Sequence, residues 1–280
     1  MVTLHTFQHA GFSFDVDDRG GDGSGDAVIL LHGFPQTKAS WHQVTPALVE
    51  AGHRVLAPDQ RGYSPGARPP GRRDYSLDKL VGDVLALADA ADVERFHVIG
   101  HDWGGAVAWG LGASAPERVA SLTSLSTPHG RAMATSMVTS LQLLKSWYML
   151  AFQLPGAPEK LIGAGGGQRL RAQLRDSGLP PAQVDASVEL MTSGGARGAL
   201  NWYRGMPFSP PAMAATITVP TLYVYGDSDF ALGRKAADLT ARHVTGPYQF
   251  EVLEGVGHWI PEEGERLNPL LLAHLALHPA

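Results

Sequence analysis

The 280-residue chain contains no cysteine. That one absence excludes disulfides, thiolate zinc sites, iron–sulfur clusters and a cysteine nucleophile together. No apolar run is long enough to span a membrane. The start of the chain, Met1 to Phe7, lacks the basic and apolar regions of a secretory signal. Positive charge is in short supply: 22 Lys and Arg stand against 27 Asp and Glu, a net charge of −5. This argues against nucleic acid or an anionic membrane surface as the main partner. There is no internal repeat and no low-complexity tract. The glycine-rich stretch 163–167 is not a phosphate loop, because the Lys and Ser/Thr of such a loop do not follow it. These absences fit a cytoplasmic protein.

The chain does have an ordinary globular composition. Its 44% apolar content is high enough to exclude disorder over the whole length. Residues 5–17 alternate loosely around Ala10-Gly11 and predict a hairpin, followed by a Gly/Asp turn region from Asp17 to Asp26. The continuously apolar run 27–31 predicts a strand buried on both faces of a parallel sheet, and further strands are predicted at 54–57, 96–99 and 119–125. Helices are predicted over 41–51, 77–91 and 103–114. In the second of these, Leu80, Val84, Leu87 and Ala91 recur at helical spacing. From 130 to 213 the pattern is helical, broken by Pro and Gly. Strands at 219–225 and 248–253 and helices at 233–243 and 267–277 complete the chain. The reading is an α/β fold with a mostly parallel sheet flanked by helices. Its core covers 1–129 and 214–280, and a helical cap, 130–213, is inserted after the sixth strand.

Three strand exits carry candidate chemistry. The first is Gly100-His101-Asp102-Trp103-Gly104-Gly105, with small residues two before and two after Asp102. A tight strand-to-helix turn that exposes a nucleophile needs those small neighbours. Taken alone, Asp102 also reads as a plain helix N-cap. The second exit is His32-Gly33-Phe34-Pro35, whose Phe34 N–H, together with that of Trp103, is suited to an oxyanion hole. Pro35 keeps Phe34 out of the helical region. The third feature is chain order. Asp227 and Asp229 follow the strand at 219–225, and His258 follows the last strand, giving the sequence nucleophile, acid, histidine.

On the motifs HGFP at 32–35, GHDWGG at 100–105, GDSDF at 226–230 and GHW at 257–259, the chain resembles the α/β-hydrolase superfamily over nearly its whole length. Within it, the chain resembles the aspartate-nucleophile branch of epoxide hydrolases and haloalkane dehalogenases. A carboxylate suits attack on a saturated carbon, because the product is a stable alkyl ester and Asp102 needs no base to ionise. His258 would then activate water against that ester, with an acid behind it. The resemblance selects Asp229 as the acid, and Asp227 reads as a turn residue. The exit Ser126-Thr127-Pro128-His129 holds no carboxylate, which disfavours the dehalogenase variant with its acid there.

An epoxide oxygen leaves as an alkoxide and needs a proton donor, for which tyrosine is suited. The resemblance to epoxide hydrolases points to Tyr148, in Tyr148-Met149-Leu150-Ala151-Phe152-Gln153-Leu154-Pro155-Gly156, and to Tyr203, in Asn201-Trp202-Tyr203-Arg204. Packing is the alternative reading of both. Phe34 is apolar where haloalkane dehalogenases commonly carry a polar side chain. Trp103 and Ala106 stand where haloacetate dehalogenases carry arginines. The expectation is therefore a cofactor-free, metal-free epoxide hydrolase acting on a small apolar epoxide, with water as co-substrate. Phe34, Trp103, Tyr148 and Tyr203 would line the substrate site. A haloalkane dehalogenase and a non-catalytic small-molecule receptor are the alternatives, and a homo-oligomer is compatible with the sequence. His129 is open between pocket-lining and capping roles, and Gln36 is not read as catalytic.

Overall fold

A computed structural model of the chain describes residues 3–21 and 25–280. The chain begins with the antiparallel strands β1 (Thr6–His9) and β2 (Phe12–Arg19). Ala10 and Gly11 both take positive φ between them, as two-residue hairpin turns require. β2 runs two residues further than the alternation predicts, and residues 22–24 of the expected Gly/Asp turn lie outside the described residues. Next come β3 (Ala27–Leu31), α1 (Thr45–Glu50), β4 (Arg54–Pro58), α2 (Leu77–Ala90), β5 (Phe96–His101), α3 (Trp103–Ser114) and β6 (Val119–Leu125). The predicted helix 41–51 divides into a 3-10 turn, Lys38–Trp41, and the short α1. Pro46, at the head of α1, lacks the N–H that an earlier helix would need.

Only helices follow until the sheet resumes: α4 (Gly130–Thr139), α5 (Gln142–Lys145), α6 (Trp147–Ala151), α7 (Ala157–Gly163), α8 (Gln168–Asp176), α9 (Pro181–Leu190) and α10 (Ala196–Gly205), joined by tighter turns. Among the described residues no strand interrupts 126–216. β7 (Thr221–Gly226), α11 (Arg234–Thr240), β8 (Tyr248–Leu253) and α12 (Gly264–Leu277) complete the chain.

The eight strands form one sheet in the order β1-β2-β4-β3-β5-β6-β7-β8. The pairings of β1 with β2 and β2 with β4 are antiparallel, and every later pairing is parallel. β3 shows why its sequence is apolar throughout. Ile29 and Leu31 join one core with Leu80, Leu87 and Leu111 from α2 and α3. Val28 and Leu30 join a second core with Leu48, Leu267 and Leu271 from α1 and α12. Alternate residues point to opposite faces, and helices cover both.

The parallel register brings strand ends to a common edge. His101 pairs with Leu125 and Gly226 with Leu253. Ligand sites of open parallel sheets form in the crevice outside such ends. All three strand exits of interest open there.

Arg54, at the start of β4, grips the far end of β2. Its Nε and Nη2 donate to Asp18 Oδ1 and Oδ2 at 3.0 and 2.8 Å, and both side chains are buried. Burial works to raise the Asp18 carboxyl. The Arg54 hydrogen bonds and the Leu4 N–H outweigh it and hold the group below its ordinary value. Arg54→Met leaves a buried carboxylate uncompensated and should cost about 3 kcal/mol. A depressed folded-state pKa stabilises above the unfolded value and loses that stability as pH falls through the folded one. Urea denaturation should therefore show the difference between Arg54→Met and the parent at neutral pH, narrowing below about pH 4.

Candidate active site

The turn from β5 into α3 is held by contact. A Cβ on Gly100 would collide with the Gly104 carbonyl, and one on Gly104 with the Leu31 carbonyl, so neither position tolerates a side chain. Between them Asp102 sits at φ 51°, ψ −119°, a conformation that costs a residue with a Cβ about 1–3 kcal/mol. Its backbone is fixed on both sides. The Asp102 N–H donates to Leu125 O at 3.3 Å, and Thr127 Oγ1 donates to the Asp102 carbonyl at 2.6 Å. Asp102 does stand at the N-cap position of α3, but its side chain makes no capping bond. The carboxylate points instead across the strand ends.

There it meets the other two exits. The Phe34 N–H donates to Asp102 Oδ1 at 2.7 Å. His258 Nε2 lies 3.6 Å from Asp102 Oδ2, and His258 Nδ1 lies 2.9 Å from Asp229 Oδ2. The second Asp229 oxygen accepts the N–H groups of Ala231 and Leu232 at 2.7 and 3.0 Å. Asp227 is exposed and bonds the Gly255 N–H at 2.7 Å, so it is a turn residue and Asp229 is the acid at the histidine.

Burial works to lower His258, but the charge of Asp229 and the hydrogen bonds to both carboxylates hold it well above the ordinary histidine value. Burial works the other way on the acids. His258 outweighs it and holds Asp102 and Asp229 below the usual carboxylate range, helped by the Phe34 N–H in one case and by Leu232 and Ala231 in the other. The resting site is two carboxylates sharing one imidazolium.

Aromatic rings cluster near Asp102, whose charge acts on both tyrosines. Tyr203, on α10, is buried, with its ring 5.4 Å from Phe34 and 4.9 Å from Trp103. Tyr148, on α6, is half-buried, and its ring lies 6.1 Å from Tyr203 and 5.6 Å from Phe152. Burial pushes both phenols above their ordinary value, and the charge of Asp102 is the next cause for each. Both hydroxyls are therefore protonated at neutral pH and lie within the electrostatic reach of the carboxylate. Gln153 Nε2 donates to the Tyr203 carbonyl at 2.9 Å, and Arg204 Nε to the Phe152 carbonyl at 2.7 Å, fixing the two tyrosine segments to each other.

His129 does not join this group. It is buried, accepts the Arg131 N–H at the head of α4, bonds the Ala215 carbonyl through Nε2 and stacks on His243 at 4.8 Å, which is a capping role. Gln36 is buried against Glu262. Sequence reasoning missed four contributors. Thr127 holds the Asp102 backbone. His101 Nε2 and Ser126 Oγ donate to the His258 carbonyl at 2.9 and 3.2 Å. Phe152 packs between Phe34 and Tyr203. Burial, then the charge of His258, takes His101 down to about 4, so it stays neutral beside the imidazolium. Position 101, directly before the nucleophile candidate, was the one available signal.

Sheet order, the strained turn and the order of acid and histidine define a hydrolase of the α/β class. The chain matches the alpha/beta hydrolase fold family over residues 26–265 and belongs to it. Its relatives narrow the comparison. It is 38% identical over 261 residues to the AB hydrolase superfamily protein YfhM of Bacillus subtilis, covering 90% of each chain. It is 31% identical to Epoxide hydrolase A of Mycobacterium tuberculosis, over 87% of this chain and 88% of that one. Among solved structures, Epoxide Hydrolase A from Mycobacterium thermoresistibile superposes with a TM-score of 0.83 at 29% identity, over 97% of both chains. An epoxide hydrolase from hot-environment metagenomes superposes with a TM-score of 0.88 at 28% identity, over 99% of this chain and all of that one. No described helix is long and apolar enough to cross a membrane.

If Asp229 is what holds His258 charged, Asp229→Asn should return the imidazole toward its ordinary titration range. Nitrogen-15 NMR of labelled histidine reads this directly. An unmoved His258 titration would show that Asp102 alone sets it.

Proposed function

We propose that the chain is an epoxide hydrolase that converts a small apolar epoxide and water to a vicinal diol through an alkyl ester on Asp102. The observation that carries this reading is the convergence of Asp102, the Phe34 N–H, His258 and Asp229, beside which the Tyr203 ring packs on Phe34 and Trp103 with the Tyr148 ring next to it. Residues 130–213 act as the cap that supplies those tyrosines to a core of 1–129 and 214–280.

In the first step an Asp102 oxygen attacks a ring carbon as the C–O bond breaks. The departing alkoxide takes a proton from Tyr148 or Tyr203. Forming the ester removes the Asp102 charge, and with it one of the two supports that hold His258 protonated. The histidine then passes its proton to the tyrosinate left by ring opening and becomes a base, with Asp229 still orienting its Nδ1–H. It takes a proton from water, and the hydroxide attacks the ester carbonyl. The new oxyanion is met by the Phe34 N–H, which already faces Asp102 Oδ1, and by the N–H of Trp103 at the head of α3. Collapse breaks the ester C–O bond, the leaving diol oxygen takes the proton of the added hydroxyl, and His258 keeps the proton it took from water, which restores the carboxylate and the imidazolium together.

Halide displacement shares the first step but needs N–H donors rather than an acid. The apolar Phe34 and the tyrosine pair favour the epoxide. A receptor needs no nucleophile held in a strained turn.

Incubation with a styrene-oxide-type epoxide should give diol, and a bromoalkane should give no halide. Halide without diol would overturn the reading. Tyr148→Phe with Tyr203→Phe should slow ester formation by about 10²–10⁴-fold, the usual worth of a positioned acid. Single turnover in oxygen-18 water should label Asp102 in the parent. His258→Gln should trap the ester, visible as an added substrate mass. In the parent, the acid-quenched ester fraction should rise as pH falls, because protonated His258 cannot activate water. An ester fraction independent of pH would exclude His258 as the base.

A further inference from the structure

The helical segment that carries Tyr148 and the loop that carries Asp229 are joined by one side chain. Gln142, on α5, is 2% exposed. Its Nε2 donates to the Ala231 carbonyl at 2.8 Å and to Ser146 Oγ at 2.9 Å, and its Oε1 accepts the Gly233 N–H at 2.8 Å. The first and third bonds grip residues 231 and 233, in the loop whose N–H groups hold Asp229 Oδ1. The second grips Ser146, which opens α6 two residues before Tyr148. Lys145 adds a fourth bond, from Nζ to the Asp229 carbonyl at 3.1 Å.

These bonds exceed what packing α5 requires. A buried amide must satisfy its polar atoms, but a local partner would do for that. Gln142 instead finds two of its three partners 89 and 91 residues away, on the main chain of a catalytic loop. Two chemical steps thereby share one support: protonation of the epoxide oxygen by Tyr148 and orientation of His258 by Asp229.

We propose that Gln142 is a positioning residue that sets the Tyr148 helix and the Asp229 loop in register, so that the acid for ring opening and the partner of the base are placed together. The inference rests on the proposed epoxide hydrolysis. Lys145 is a lesser member of the same clasp, since it makes one exposed-side bond where Gln142 makes three.

Gln142→Met keeps length and apolar bulk while removing all three bonds. In the full chain, with a styrene-oxide-type epoxide, it should slow ester formation about tenfold, as expected for misplacing a charged or polar catalytic partner by a fraction of an ångström. It should also move the pH profile of ester hydrolysis to lower pH, because a looser Asp229 supports the His258 imidazolium less. Combined with Tyr148→Phe, the loss in ester formation should be less than the product of the two single losses, as coupled residues behave. Lys145→Ala should move both readouts the same way by a smaller factor. A merely structural role would lower the melting temperature yet leave the hydrolysis pH profile in place and the two losses multiplicative. That pattern overturns the inference. A parent protein that forms no ester with any epoxide overturns the proposed function and this inference with it. A parent that does, beside a Gln142→Met variant with an unchanged pH profile, overturns this inference alone.

Discussion

A carboxylate charge held out of bulk water is the constraint on which the rest of this structure depends. Burial alone works to raise the Asp102 carboxyl and so against its charge. Ionisation survives because a shared imidazolium and a fixed N–H face its two oxygens. Both must be delivered from far away in the chain, Phe34 from after β3 and His258 from after β8. The parallel register meets that requirement, since it brings the ends of β3, β5, β7 and β8 to one edge of the sheet. The positive φ of Asp102 serves the same purpose. It turns the side chain away from α3, where it would be an ordinary cap, and toward its partners.

The same histidine cannot be acid and base at once, and the charge balance resolves this in time. While Asp102 is ionised, two carboxylates hold His258 protonated. In the proposed reaction, esterifying Asp102 leaves only Asp229. His101 matters to this balance through what it does not do. It is buried in ring contact with His258, at 5.0 Å, and a second positive charge there would lower the first. Its neutral ring leaves Nε2 free to donate to the His258 carbonyl. The histidine backbone is thereby fixed without competition for the carboxylates.

How much of this the sequence reveals depends on range. Asp102, Phe34 and His258 are legible because each sits in a short local pattern at the end of an apolar run. The rule that a tight turn needs small neighbours acts over only four residues. The parallel sheet is legible for a similar reason, since β3 is apolar throughout without alternation. Asp229 and Asp227 are not separable by local rules. Both follow β7, and only the path of the turn sends one to His258 and the other to the Gly255 N–H. Tyr148 and Tyr203 are legible through resemblance alone, because nothing in their spacing distinguishes a proton donor from a packing ring. Gln142 is not legible at all. Its partners lie about ninety positions on, and glutamine in a short polar helix carries no signal of its own. His129 shows the converse: a histidine beside a pocket motif whose neighbours on α4 and α11 take it up as a cap.

The way the helical segment is fastened to the core bears on how such a site can change its substrate. Gln142 and Lys145 donate to the carbonyls of Ala231 and Asp229, Trp202 Nε1 to that of Arg61, and Gln183 to that of Ala39. In each of these four a side chain of the helical segment grips a main-chain oxygen outside it. Such bonds do not depend on the core side chain at the gripped position. The aromatic cluster beside Asp102 is assembled separately, from Phe34 and Trp103 at the strand ends and from Tyr148, Phe152 and Tyr203 on the helical segment. Fastening and lining are therefore carried by different residues. Of the lining groups, Phe34 and Trp103 contribute backbone N–H groups to the proposed oxyanion site, which any side chain there preserves. Phe152 contributes its ring and a carbonyl that accepts Arg204 Nε, and the second is kept by any side chain. Its ring packs on Phe34, Tyr148 and Tyr203, so replacing it changes the surroundings of both tyrosine rings while Asp102, His258 and Asp229 keep their own hydrogen bonds.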